Sequence, residues 1–332
     1  MATMTHDRPV IRHSSTSTGL AFAVASAVTF GLSGALARGL LDAGWTAGAA
    51  VAARIAIAAI VLAIPGVVAL RGRWHLLRES SLTVTVYGVA AVAGAQLCYF
   101  YAVSYMQVGV ALLIEYTAPV AVVMWLWLRH GNRPNRLTVV GAVIASLGLV
   151  LVLDVVSGAD LSTTGVLWAL GAMVGAAIYF VIGADTDNGL PPISLAAAGL
   201  VVGGVVLLTA GGIGVLPMHA TSADVVYDGH AVAWWVPVLA LGLVTAAFAY
   251  VTGIEAGRRL GSRLSSFVAL LEVLMALVFA WLLLGELPRT VQMLGGVLVL
   301  AGVVVVKLGE GSSAVTVEPL PGEQDLSERP AA

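Results

Sequence analysis

The chain has 332 residues, of which 59% are hydrophobic and only 10% charged, with a formal net charge of −2 and a mean hydropathy of +0.98. Soluble globular domains carry roughly a quarter charged residues, so a water-soluble fold is excluded, and the balanced charge offers no basic field for nucleic acid. The one cysteine, Cys98, lies in an apolar run, which leaves neither a disulfide framework nor a Cys-based metal site.

Residues 1–18 are polar and rich in Ser and Thr, predicting a flexible cytoplasmic tail. Ten apolar segments follow, at 19–39, 47–70, 82–104, 108–128, 137–153, 162–184, 192–215, 232–256, 263–284 and 291–308. About 20 apolar residues in a helix cross roughly 30 Å of hydrocarbon, and helices satisfy their own backbone groups there. Barrel strands would alternate polar and apolar residues, whereas these segments are continuously apolar. Residues 309–332, with Pro, Gly and several acids, predict a second flexible tail. The fold class expected is all-α integral membrane, with ten transmembrane helices. Arg8 and Arg12 ahead of the first segment, with Ala35-Leu36-Ala37 near its end, imitate a cleaved signal peptide, but the duplication described below requires this span.

Orientation follows from the bias of Lys and Arg toward cytoplasmic loops. With a cytoplasmic N-terminus the inner group is Arg8, Arg12, Arg71, Arg73, Arg78, Arg129, Arg133, Arg136, Arg258, Arg259, Arg263, Lys307 and Arg329, which is 13 of the 16 basic residues. Outside fall only Arg38 and Arg289, while Arg54 lies within the second span. Both termini are therefore expected in the cytoplasm, with the chain threaded through the inner (plasma) membrane as a multi-pass protein.

An offset of 154 residues aligns the fourth and fifth spans with the ninth and tenth. Gly131, Pro134, Gly141 and Gly148 fall on Gly285, Pro288, Gly295 and Gly302, while Gly88 meets Gly242 and Trp127 meets Trp281. A shift of 146 brings Gly19 and Ala23 onto Gly165 and Ala169. Coincidences come easily among 38 glycines, yet matched Gly-x-x-Pro turns followed by two glycines seven apart point to two five-span units, 19–153 and 162–308. Because five is odd, the second unit enters from the opposite side, giving an inverted repeat with a binding site expected at its midplane interface.

This pattern resembles the EamA-type transporters of the drug/metabolite transporter superfamily. The resemblance covers nearly all of 19–308. It rests on the two five-span repeats, Ala53-Arg54-Ile55 early in the second span, Leu283-Leu284-Gly285-Glu286, and the stretch from Gln292-Met293-Leu294-Gly295-Gly296 through Gly302. Glu115-Tyr116-Thr117-Ala118-Pro119 and the run from Glu255 to Glu272 look most like the threonine and homoserine exporter branch. The resemblance implies a secondary transporter that exports an amino acid or similar small polar metabolite by proton-coupled alternating access. Drug efflux or metabolite uptake by the same fold remains an alternative, as does a channel or a non-transporting membrane protein. The family pattern has a Pro after the acid of the ninth span, where Glu272 is here followed by Val273, so a helix break is expected in the first repeat alone.

Ionisable groups inside spans are costly and usually face a bundle interior or aqueous cavity. Arg54 and Glu115 each lie about seven residues into their spans from the outer face, a common depth of roughly 10 Å that allows an ion pair, which either serves function or only ties two helices. Glu272 lies near the middle of the ninth span. The 154 offset sets it against Ala118, one turn from Glu115 on the equivalent helical face. Both acids are candidates for a substrate and proton pathway, as ligands for an amine or carriers of a proton, or else are satisfied by neighbouring helices. Gln96, Tyr99, Tyr101, Tyr116, Tyr179 and Tyr250 add hydrogen-bonding groups, although any single Tyr more often packs or seeks an interface. Glu255 is a weaker candidate, since Arg258 and Arg259 follow at ion-pair spacing; Glu286 beside Arg289 suggests an external tether.

No phosphate-cradling loop occurs, and the sole Lys, Lys307, ends the last span. All six His lie in tails or loops, and neither HExxH nor Gly-x-Ser-x-Gly is present. No catalytic residue, cofactor or metal is expected. The partners expected are a small-molecule substrate, protons and the lipid bilayer, with oligomeric state left open.

Overall fold

A computed structural model describes residues 13–105, 108–131, 133–152, 162–285 and 289–312. Most of the two expected tails lies outside the described residues, as do Glu286 and Pro288. The first half consists of α1 (His13–Asp42), α2 (Ala47–Leu70), α3 (Trp74–Glu79), α4 (Ser81–Val86), a π-helical stretch Tyr87–Gly94, α5 (Ala95–Tyr105), α6 (Val108–Glu115), α7 (Ala118–His130) and α8 (Arg136–Val152). The second contains α9 (Thr163–Ala184), α10 (Pro192–Gly212), a hairpin of β1 (Val225–Tyr227) and β2 (His230–Val232), α11 (Trp235–Gly242), a second π-helical stretch Leu243–Phe248, α12 (Ala249–Val268), α13 (Leu271–Leu284) and α14 (Thr290–Ser312). Among the described residues six helical stretches are long and apolar enough to cross a membrane, and four shorter ones are apolar.

Local chemistry sets the helix ends. Thr46 and Ser162 cap α2 and α9, each side chain accepting from the backbone N–H three residues on. α7 and α13 stop alike: Gly131 and Gly285 turn left-handed, at φ 69° and 70°, and donate back to the carbonyls of Leu126 and Trp127, and of Ala280 and Trp281. Those four acceptors match across the 154 offset.

Small residues let the helices touch. Gly141 faces Gly302 and Gly148 faces Gly295, so α8 and α14 run antiparallel with their backbones in contact. A Cβ added at Gly302 would lie 2.5 Å from the Ala145 nitrogen. α2 and α10 are likewise antiparallel. The Ser194 hydroxyl donates to the Gly66 carbonyl at one end (2.8 Å), while Gly48 abuts Leu216 and Pro217 at the other. The exterior is apolar, with Ile64 and Leu128 at 75% and 78% exposure; such a surface suits lipid rather than water.

The fourth segment is broken at Tyr116 and Thr117, as expected, but the ninth is broken too, between α12 and α13 at Ala269 and Leu270. This corrects the expectation of a break in the first repeat alone. The second break needs no proline because its backbone tightens into a 3₁₀ turn: Ala269 and Leu270 take ψ of −19° and −20°. Glu272 and Val273 donate three residues back, to Ala269 and Leu270, at 2.9 and 3.2 Å. A further bend at Gly261 (φ 78°, ψ 162°) joins the expected eighth and ninth spans within α12.

At one end the hairpin closes over α1. Asp228 and Gly229 both take positive φ, the requirement of a two-residue type I′ turn, and the Tyr227 hydroxyl donates to the Leu36 carbonyl (2.9 Å). Trp45 joins the same end, donating to Thr221 and packing on Trp234. At the other end Arg258 donates to the Leu190 carbonyl and Leu76 of α3 approaches Gly189.

Candidate functional site

The two broken helices deliver one acid each to the centre. Glu115 is the last residue of α6 and Glu272 lies in the first turn of α13, both beside the breaks. α1 supplies the facing wall through Ser26, Phe30 and Ser33, spaced four and three apart on one helical face. Together they enclose a cavity of about 80 Å³, whose lining includes Ser26, Phe30, Gln96, Glu115, Tyr116 and Glu272, with Tyr179 and Tyr250 from α9 and α12. An adjoining pocket of about 30 Å³ shares Phe30, Gln96 and both acids, and adds Arg54, Ser33 and Tyr99.

Arg54 is 1% exposed. Its Nη1 donates to the Ser33 hydroxyl (3.0 Å) and to Gln96 Oε1, and its Nη2 to the Thr245 carbonyl within the second π-helical stretch. The guanidinium carbon stands 5.8 Å from the Phe30 ring centroid. Among the described residues no ion pair joins it to Glu115; three neutral acceptors on three other elements take its terminal nitrogens. Satisfying a buried guanidinium in this way offsets part of a desolvation cost that an unpaired charge would carry in full.

The aromatic residues form an edge-to-face cluster. Phe30 meets Tyr179 and Tyr250 at centroid distances of 6.3 and 5.3 Å, and Tyr179 meets Tyr250 at 5.6 Å. The Tyr116 hydroxyl reaches Glu272 and the buried Tyr179 hydroxyl lies beside Ser26, whereas Arg54 Nε has no hydrogen-bond partner among the described residues.

Of the expected residues, Glu115, Glu272, Tyr116, Gln96, Tyr179 and Tyr250 line the cavity, with Arg54 and Tyr99 in the pocket beside it. Two stand elsewhere. Tyr101 stacks on Trp168 at 4.9 Å, outside both pockets. Glu255 accepts from Arg259 Nε (2.6 Å), and Arg259 in turn covers Phe22, so the short-range ion pair holds this acid away from the centre. Ser26, Phe30, Phe180 and Ser265 also line the cavity and were not anticipated; the four-and-three spacing of Ser26, Phe30 and Ser33 was a readable signal for the α1 face.

The pattern of the EamA-like transporter family matches residues 17–154 and again 163–308. The chain belongs to this family. It is 28% identical over 251 residues to the threonine/homoserine exporter RhtA of Escherichia coli (strain K12), an alignment covering 73% of this chain and 76% of the relative. RhtA of Salmonella typhimurium (strain LT2) is 27% identical over 252 residues, with the same coverage. The uncharacterized transporter YvbV of Bacillus subtilis (strain 168) is 28% identical over 155 residues, 46% of this chain and 48% of that one. A solved crystal structure shares the fold at a TM-score of 0.68 and 19% identity, covering 89% of this chain and 98% of its own. This EamA protein is therefore a multi-pass inner-membrane transporter near the RhtA branch, and its work is transport rather than catalysis.

Proposed function

We propose that this EamA protein exports an amino acid or similar small polar metabolite in exchange for protons, by alternating access. In this reading ten spans form two inverted five-helix repeats, 19–153 and 162–308, with both termini in the cytoplasm. The carrying observation is that the two helix breaks bring Glu115 and Glu272 to one cavity beside a single Arg54. Two carboxylates against one guanidinium leave one surplus negative charge, which either a proton or a cationic substrate group neutralises. Because one excludes the other, occupancy couples the two flows.

Further support comes from geometry. The matched helices α8 and α14 run antiparallel, as inverted copies require. The π-helical stretches fall at corresponding places, 87–94 and 243–248, as do the breaks. The turn around Arg73, the Leu190 loop and Arg258 gather at one end, with Trp45 and Trp234 at the other, in keeping with a basic cytoplasmic face and an aromatic outer belt. A cavity of about 80 Å³ is well below the roughly 300–1,000 Å³ of drug-sized sites, which favours a metabolite over bulky compounds.

The test is purified protein in proteoliposomes loaded with labelled threonine or homoserine. Expected are trans-stimulated counterflow and efflux driven by an imposed pH gradient, with Glu272→Gln losing the response to the gradient while its folding stays normal. Flux without trans-stimulation would turn the reading to a channel, and unaltered gradient-driven efflux in Glu272→Gln would remove this acid from coupling.

A further inference from the structure

The cavity is unsuited to both ends of an amino acid alike. Among the described residues its lining holds two carboxylates and no basic side chain, and five rings, Phe30, Tyr116, Tyr179, Phe180 and Tyr250, make up its aromatic wall. Aromatic faces and carboxylates both attract an ammonium group. An α-carboxylate in the same space would add to Glu115 and Glu272, whose charges already exceed the single guanidinium of Arg54 by one, and would be repelled at short range and low dielectric.

Among the described residues the guanidinium beside the cavity is that of Arg54, and it is not placed to receive that carboxylate. Both terminal nitrogens of Arg54 are engaged, by Ser33, Gln96 and the Thr245 carbonyl. The pocket beside it, about 30 Å³, has room for roughly two waters. Arg54 Nε has no hydrogen-bond partner among the described residues and is buried from solvent, so it is not presented to a cargo group. The larger cavity holds on the order of five to eight water-sized groups by the same measure, and there the Ser26 and Ser265 hydroxyls, whose protons go to the Ala249 and Ser262 carbonyls, are left with oxygens that accept.

We propose that the site selects its cargo by the ammonium group and is indifferent to the carboxylate. Its substrate class is small primary amines, with amino acids included beside their amides and esters. This rests on the carrier reading above and narrows it. The Arg54 charge then serves to hold three elements together and to set the net charge of the site, while Glu115 and Glu272 receive the ammonium.

The experiment is competition against labelled threonine counterflow by threonine, threoninamide and N-acetylthreonine. Threoninamide, which keeps the ammonium and loses the carboxylate, is expected to compete within about 3-fold of threonine. N-acetylthreonine, which keeps the carboxylate and loses the charge, is expected to be roughly 10- to 100-fold weaker, the loss of a charged hydrogen bond. The reverse order overturns the proposal. If no amino acid is carried, the exporter reading fails separately, and titration of n-butylamine into the purified wild type and the Glu115→Gln/Glu272→Gln double variant decides recognition. Binding by the wild type and not by the folded double variant sustains the ammonium site; no binding by the wild type, or equal binding by both, overturns it.

Discussion

In the first half, Pro119 follows the helix break by two residues. It brings no N–H to the Glu115 carbonyl, and the Thr117 hydroxyl donates to the Ile114 carbonyl instead (2.7 Å). In the second half Val273 stands at the matching place with its N–H intact, and that N–H donates to Leu270, three residues back. Two different local chemistries thus reach the same bend. Gly31 of α1, pressed against the Glu272 carbonyl and Met275, indicates where the second bend finds its support: in the packing around it.

The largest effect is expected where the halves meet. Gly148→Leu and Gly302→Leu would each drive a side chain into the facing backbone, where even an added Cβ comes within 2.6 and 2.5 Å of a nitrogen. Each should cost on the order of 3 kcal/mol and abolish the monodisperse peak in detergent. If one were tolerated and the other not, the halves would not share a packing role. Next, Glu115→Gln and Glu272→Gln should both leave folding unchanged by thermal melt and both abolish pH-driven efflux. Unequal outcomes would assign proton exchange to one break.

A smaller loss is expected at the bend in α12. Gly261 takes a backbone conformation that side chains avoid, although nothing crowds it within 4 Å. Gly261→Ala should therefore destabilise by about 1–2 kcal/mol through backbone strain alone, read as a lowered melting temperature. The smallest effect is expected at the first break itself. Pro119→Ala should change stability by about 1 kcal/mol or less and retain transport. Loss of transport in a well-folded Pro119→Ala would show that the proline, and not its surroundings, maintains the first bend.

Much of the site was legible because charge inside an apolar run is rare. Glu115 and Glu272 stand out in any reading of the chain, and the structure brings both to one cavity. The partners of Arg54 were not legible: one is the Thr245 carbonyl, 191 residues away, and every residue carries a carbonyl. Gln96 was visible as a polar residue, but nothing in its neighbours marks it as the acceptor that displaces Glu115. At Glu255 the ion-pair spacing to Arg259 was itself legible, and the structure shows that pair.

The amino-acid sequence by itself determined the apolar helices, the doubling of the chain and the two central acids, because burial in lipid and helical periodicity act on residue type and spacing. Tertiary structure alone decided the second helix break, the π-helical shift that turns the Thr245 carbonyl to Arg54, and the separation of guanidinium from carboxylate. Each depends on which backbone and side-chain groups from distant segments compete for the same few donors, a choice settled only once the helices are packed.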